Sequence, residues 1–98
     1  MPLTWNYLVM FYVYVLKSKT DDKLYIGYTN NLRKRMKEHN EGKNFSTKSR
    51  IPFKLVYYES YVASEDAKER EMQLKRFSQS YMHLKKRINR SLQAGNSM

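Results

Sequence analysis

The chain has 98 residues, 41% of them apolar, and carries 19 Lys and Arg against 9 Asp and Glu for a formal net charge of +10. That length supports one hydrophobic core and excludes a second one, while the charge draws a small domain to polyanions such as nucleic acid or an anionic membrane surface without naming an activity. The absence of cysteine excludes a disulfide framework and a thiolate zinc site and fits a reducing, cytoplasmic setting, and the two histidines, His39 and His83, are too few to build a histidine metal site.

Residues 7–16 are apolar, but the run is far shorter than the roughly 20 residues of a spanning helix and lacks the basic stretch and cleavage site of a signal peptide. No membrane segment is expected. Residues 1–9 read as an N-terminal extension and residues 10–92 as the domain. Residues 10–16 are almost all β-branched, aromatic or aliphatic and predict a buried strand, with residues 23–28 as its hairpin partner. A turn centred between Lys19 and Thr20 sets Tyr14 opposite Tyr25, with both side chains on one face of the sheet.

Asn30 or Asn31 as N-cap and Gly42 as the residue past the C-cap bracket a helix of about three turns. Its Leu32, Arg35, Met36 and His39 fall at i, i+3, i+4 and i+7, so a cation and an imidazole share a stripe with two apolar residues. Residues 43–52 form a basic loop in which Lys48 and Arg50 suit a phosphate backbone, and residues 53–59 alternate as a third strand. Ser64 is placed to cap the next helix, with Glu65 and Asp66 favourable in its first turn. Ala63, Ala67, Glu71, Leu74 and Phe77 make the inward stripe of that helix. Residues 80–92 predict a last helix with Tyr81, Leu84, Ile88 and Leu92 inward and Lys85, Lys86, Arg87 and Arg90 outward, followed by a frayed tail over 93–98.

Arg35, His39 and Glu71 thus lie on stripes that should face the sheet carrying Tyr14 and Tyr25, and buried charge is costly unless paired or used. Such a group suits phosphodiester hydrolysis. A carboxylate can hold one Mg²⁺, an arginine can neutralise charge on the phosphate, and a tyrosine helped by histidine can position or deprotonate a water. Each element also has a plain structural reading: cross-strand packing for the tyrosines, snorkelling for Arg35, and an ion pair with Arg35 or Arg70 for Glu71.

Tyr12-Val13-Tyr14, then Tyr25-Ile26-Gly27 with Tyr14 and Tyr25 eleven positions apart, Arg35 ten positions later and His39 in an Arg-x-x-x-His arrangement together resemble the GIY-YIG nucleases. Ser46-Thr47-Lys48-Ser49-Arg50-Ile51-Pro52-Phe53 leading into Lys54-Leu55-Val56-Tyr57-Tyr58-Glu59 is similar to small stand-alone bacterial members related to the N-terminal nuclease domain of the repair excinuclease. Tyr12 departs from the first glycine of the motif. The resemblance implies an α/β (α+β) fold, with a small three-stranded, mainly antiparallel sheet flanked by helices.

It further implies a DNA endonuclease dependent on Mg²⁺ (or Mn²⁺), of the kind that serves DNA repair. In that reading Glu71 holds the metal, Arg35 contacts the scissile phosphate, Tyr14 is the general base or water-positioning group, and Tyr25 and His39 complete the site. Gly27 lets the backbone pass close to the cleft, and Asn89, with Lys48 and Arg50, contacts nucleic acid. No appended targeting module is legible in the chain, so two further readings stand beside the enzyme: a binding module that does not cut, and a nuclease that depends on a protein partner for its target.

Overall fold

The computed structural model describes residues 9–94. The β-branched and aromatic run near the N-terminus forms β1 (Phe11–Ser18), which pairs antiparallel with β2 (Leu24–Thr29) on one side and β3 (Phe53–Tyr61) on the other, giving the order β2-β1-β3. As the central strand β1 is covered on both faces, so Val13, Tyr14, Val15 and Leu16 are all fully buried. The hairpin register differs from the expected one. Tyr14 pairs with Gly27, and Tyr25 pairs with Leu16.

The turn explains that difference. Ser18 and Lys23 close it, with Ser18 N–H donating to Lys23 O at 3.0 Å, and the Ser18 hydroxyl oxygen accepts from the N–H groups of Thr20 and Asp21. Asp22 takes the left-handed conformation at φ 63°, and the turn is centred between Thr20 and Asp21, one residue later than expected. Because the slip is two residues, Tyr14 and Tyr25 stay on one face.

Helix α1 (Leu32–Asn40) starts where Asn31 accepts from Lys34 N–H, and the chain leaves it through Gly42 at φ 75°. Both ends match the capping pattern read from the sequence. Helix α2 (Ser64–Arg76) begins one residue earlier than expected, with Ala63 rather than Ser64 in the cap position. Phe77 is not on its inward stripe: α2 ends at Arg76, and Phe77 sits extended in the turn, 54% exposed. The single last helix expected over 80–92 is two, α3 (Ser78–Arg87) and α4 (Asn89–Ala94), broken at Ile88 with φ −106° and ψ 25°. The break keeps Leu84 and Ile88 buried in the core while α4 turns so that Leu92 packs there too.

Two apolar clusters divide at the sheet. Tyr14, Leu16 and Phe53, with Tyr25, Leu55 and the α1 residues Leu32 and Met36, form one; Val13, Val15 and Ile26 pack on the other face against Ala67, Leu74, Leu84 and Ile88 of the remaining helices. The architecture is therefore α+β, a three-stranded antiparallel sheet with helices on both faces. Lys17, buried at the sheet end, donates to Leu92 O at 3.2 Å and ties α4 down.

A polar lock holds α2 in rotation. Arg70 grips Glu59 of β3 through Nε and Nη2 at 3.0–3.1 Å, and the hydroxyls of Tyr57 and Tyr61 donate to the same carboxylate. Arg70 is therefore the partner of Glu59, not of Glu71. With Arg70 fixed toward β3, its neighbour Glu71 is turned about 100° round the helix. The expectations for residues 1–9 and 93–98 lie outside the described residues except at Val9, Gln93 and Ala94, the last two ending α4. Among the described residues no helix is long and apolar enough to cross a membrane.

Candidate active site

At the centre of the α1-covered face, the Tyr14 hydroxyl lies 2.8 Å from His39 Nε2, and His39 Nδ1 lies 2.9 Å from Thr47 Oγ1. All three side chains are fully buried. The Thr47 hydroxyl donates to Asn44 O, at 3.4 Å, so it accepts from an Nδ1–H, and Nε2 is left as the acceptor for the Tyr14 phenol. Gly42 makes this possible, because its left-handed backbone returns the chain under α1 and delivers Thr47 to the imidazole. Asn40 secures the far side of the loop, accepting from Phe53 N–H at 2.7 Å and donating to Phe53 O at 3.1 Å.

Around this relay the rings of Tyr14, Tyr25, His39 and Phe53 pack edge to face or tilted, with Tyr25 and His39 centroids 5.2 Å apart and Tyr14 and Tyr25 centroids 6.4 Å apart. Gly27, opposite Tyr14, leaves the space its ring occupies. A Cβ built there would fall on Tyr14 Cζ and Oη. Gly27→Ala is expected to lower stability by about 1–3 kcal/mol through overpacking and to displace the phenol from His39. A thermal unfolding midpoint and cutting rate both equal to wild type would show that the ring has room to spare.

Burial of the phenol, reinforced by Tyr25 and to a lesser degree by Glu71, pushes Tyr14 up to about 12, against the opposing hydrogen bond and charge of Arg35. Burial, with the positive charge of Arg35, holds His39 below its usual 6.5, against the pull of Glu38. At neutral pH the phenol is thus protonated and the imidazole neutral. The groups meeting solvent above this pair are Tyr25, Arg35, Glu71 and Lys75. Arg35 pairs with Glu38 at 3.3 Å, Glu71 with Lys75 at 3.1 Å, and Lys75 Nζ stands 5.8 Å from the Tyr25 ring centroid.

The structure therefore brings Tyr14, Tyr25, Arg35, His39 and Glu71 into one neighbourhood, and corrects two expectations about it. Glu71 is the partner of Lys75, neither of Arg35 nor of Arg70, and Tyr14 lies beneath the surface rather than lining an open cleft. Arg50 is bound within the fold, pairing with Asp21 at 2.7 Å and stacking 5.4 Å over Phe53, whereas Lys48 is exposed on the 3-10 turn beside it. Asn89 opens α4 among Lys86, Arg87 and Arg90, against the sheet face opposite Tyr14. Thr47, in a loop, and Asn40, the last residue of α1, escape sequence reasoning because their partners lie on other elements and follow no local periodicity; Lys75 is legible as the i+4 partner of Glu71.

The donor set at Glu71 bears on which metal it could hold. Its side chain is 24% exposed, and among the described residues no group of three or more His, Cys, Asp or Glu is placed to hold an ion. One accessible carboxylate fits Mg²⁺, which keeps several waters and takes its remaining oxygens from substrate phosphates.

The model of the GIY-YIG catalytic domain family matches residues 10–87 of this chain. The chain belongs to the GIY-YIG family. A UPF0213 protein of Clostridium perfringens, CPE1444, is 46% identical to it over 72 residues, which are 72% of this chain and 76% of that protein. A UPF0213 protein of Staphylococcus haemolyticus is also 46% identical, over 68% of this chain and 82% of its own length. Among solved structures, the solution NMR structure of the UPF0213 protein BH0048 from Bacillus halodurans is 34% identical, with a TM-score of 0.49 over 76% of this chain and 80% of that one. The five candidate residues lie within the matched segment, so the relay, Arg35 and Glu71 all belong to the GIY-YIG domain.

Proposed function

We propose that this GIY-YIG domain is an endonuclease that hydrolyses DNA phosphodiesters with one divalent metal ion, Mg²⁺ or Mn²⁺, in the cytoplasm, and that DNA repair is its setting. One observation carries the reading: a phenol held up to about 12 donates to a neutral, buried imidazole, with Arg35 and Glu71 on the solvent side.

The phenol is too weakly acidic to stand ionised, so it acts by transfer in both directions. A water gives its proton to Tyr14 Oη as the phenol proton passes to His39 Nε2, and the hydroxide attacks phosphorus while the bond to the leaving oxygen breaks; solvent protonates that oxygen. Thr47, accepting from His39 Nδ1–H, stabilises the imidazolium that forms. Arg35 lies against the phenol and is held by Glu38. A phosphate that draws Arg35 away uncovers Tyr14 and gains a guanidinium to neutralise its developing charge. Lys75, displaced from Glu71, is placed to do the same. A Mg²⁺ held by Glu71 would polarise the phosphate oxygens and ease departure of the leaving group.

The full burial of Tyr14 is the observation that favours the rival reading, a module that binds nucleic acid without cutting or that cuts only when a protein partner opens the site. The pH dependence of single-turnover cutting tests the relay. His39 must be neutral to accept the proton, so the rate is expected to rise with pH through a midpoint below 6.5 and then level off. A rate still climbing tenfold per pH unit above pH 9 would mean that free phenolate or hydroxide is the base, and would remove His39 from the mechanism.

A further inference from the structure

A cavity of about 530 Å³ opens beside the catalytic face, between the first turns of α1 and the sheet, lined by Tyr12, Asn30, Leu32, Arg33, Met36 and Leu55. Its position ties it to the site. Tyr12 and Tyr14 project from the same face of β1, about 7 Å apart along the strand, and Leu32, Met36 and Leu55 pack in the same apolar cluster as Tyr14. Arg33 borders it from the flank of α1 opposite Arg35, as their separation of two residues on a helix requires.

The lining has an aromatic and aliphatic floor with a polar rim. Tyr12 is braced by Tyr58, whose ring meets it edge-on at 5.8 Å between centroids and which pairs with Tyr14 across the β1–β3 ladder. Among the described residues neither the Asn30 amide nor the Arg33 guanidinium has a hydrogen-bonding or ionic partner, and Glu38, the carboxylate nearest along α1, is taken by Arg35. An aromatic face, an amide that both donates and accepts, and a free guanidinium are the groups that recognise a nucleobase removed from its stack: the ring stacks, the amide reads the edge, and the arginine holds a phosphate or stacks in turn. The formal net charge of +10 favours a polyanionic strand over a neutral sugar as the ligand that brings such a ring here.

We propose that this cavity is a nucleobase subsite, in which Tyr12 stacks against one base of the strand whose phosphate is presented to Arg35 and Tyr14. The inference rests on the nuclease reading for the identity of that strand. Tyr12 stands where the family motif has its first glycine, so the stacking floor comes from a position at which this motif departs from its name. The base seated there lies within a short reach of the cut and positions the strand without touching the reacting atoms.

The test uses the full chain with an end-labelled oligonucleotide and a set of the same sequence in which a single abasic residue is moved through the positions flanking the cut, measuring both cutting with Mg²⁺ and equilibrium binding without it. Wild type is expected to lose roughly 5- to 100-fold in kcat/KM and in affinity when the abasic residue occupies one particular position, the range that loss of one stacked base implies. Tyr12→Ala is expected to lose a similar factor on the intact strand and to become indifferent to that position, while Tyr12→Phe retains both the factor and the position. Equal cutting and binding of every abasic strand by wild type would overturn the subsite, whatever the variants do. Should wild type cut nothing yet bind with the single-position loss, the subsite stands and the nuclease reading falls; binding that ignores the abasic position sinks the subsite with or without cutting.

Discussion

Tyr14→Phe is expected to slow single-turnover cutting by about 10²- to 10⁴-fold, the contribution of a well-placed proton-transfer group. The change removes one oxygen, but in the proposed relay that oxygen links water to His39, and among the described residues the imidazole 2.8 Å away has no other donor at Nε2. Its loss leaves a buried acceptor unpaired, so stability should fall as well, by about 1–3 kcal/mol. Unfolding midpoints must therefore accompany the rates, and cutting is to be compared at a temperature where both proteins are folded. Tyr25→Phe is the informative partner. Tyr25 is the half-buried member of the pair, so it could reach a water without any movement of Arg35. A larger defect for Tyr25→Phe than for Tyr14→Phe would transfer the general-base role to Tyr25 and reduce Tyr14 to packing.

Glu71→Gln is expected to lower cutting by about 10²- to 10⁴-fold at any Mg²⁺ concentration, as loss of several kcal/mol of metal-assisted stabilisation requires. The fold should be nearly untouched, because the side chain is partly exposed and its partner, Lys75, is a surface lysine whose pairing contributes little. DNA binding in the absence of metal should hold or tighten, since a negative charge leaves a positive surface. Mg²⁺-dependent cutting unchanged in Glu71→Gln would show that this carboxylate holds no metal. The orientation of Glu71 is itself built by the adjacent Arg70, whose bidentate grip on Glu59 fixes the rotation of α2.

What is legible in the sequence is what local rules govern. Asn31 and Gly42 mark the ends of α1 because capping chemistry is short-range, and the 3.6-residue period places Arg35 and His39 on a face with Leu32 and Met36. Period 2 puts Tyr14 and Tyr25 on one sheet face even though the register differs from the expected one, since a shift of two residues leaves the face unchanged. The partners are harder. Glu71 takes Lys75 rather than Arg70 because Glu59, on another element, already claims Arg70 with two tyrosines beside it, and nothing local announces a contact of that kind. Arg50 reads as a phosphate contact from its basic loop, while Asp21 reaches it from the far hairpin turn. Thr47 is invisible for the same reason, though it decides the His39 tautomer. The break at Ile88 follows from the need to pack Leu84, Ile88 and Leu92 against a twisted sheet rather than from any helix-breaking residue.

The measurement that bears most directly on the nuclease account is nicking of supercoiled plasmid by the wild-type protein at low salt, with Mg²⁺ and with chelator, alongside DNA binding under both conditions. The account predicts nicked circles that accumulate with Mg²⁺ and are absent with chelator, at protein concentrations where binding occurs in both. Plasmid that is bound yet left intact in Mg²⁺ and in Mn²⁺ would contradict it, and would leave the relay from Tyr14 to Thr47 as the buried scaffold of a nucleic-acid-binding module.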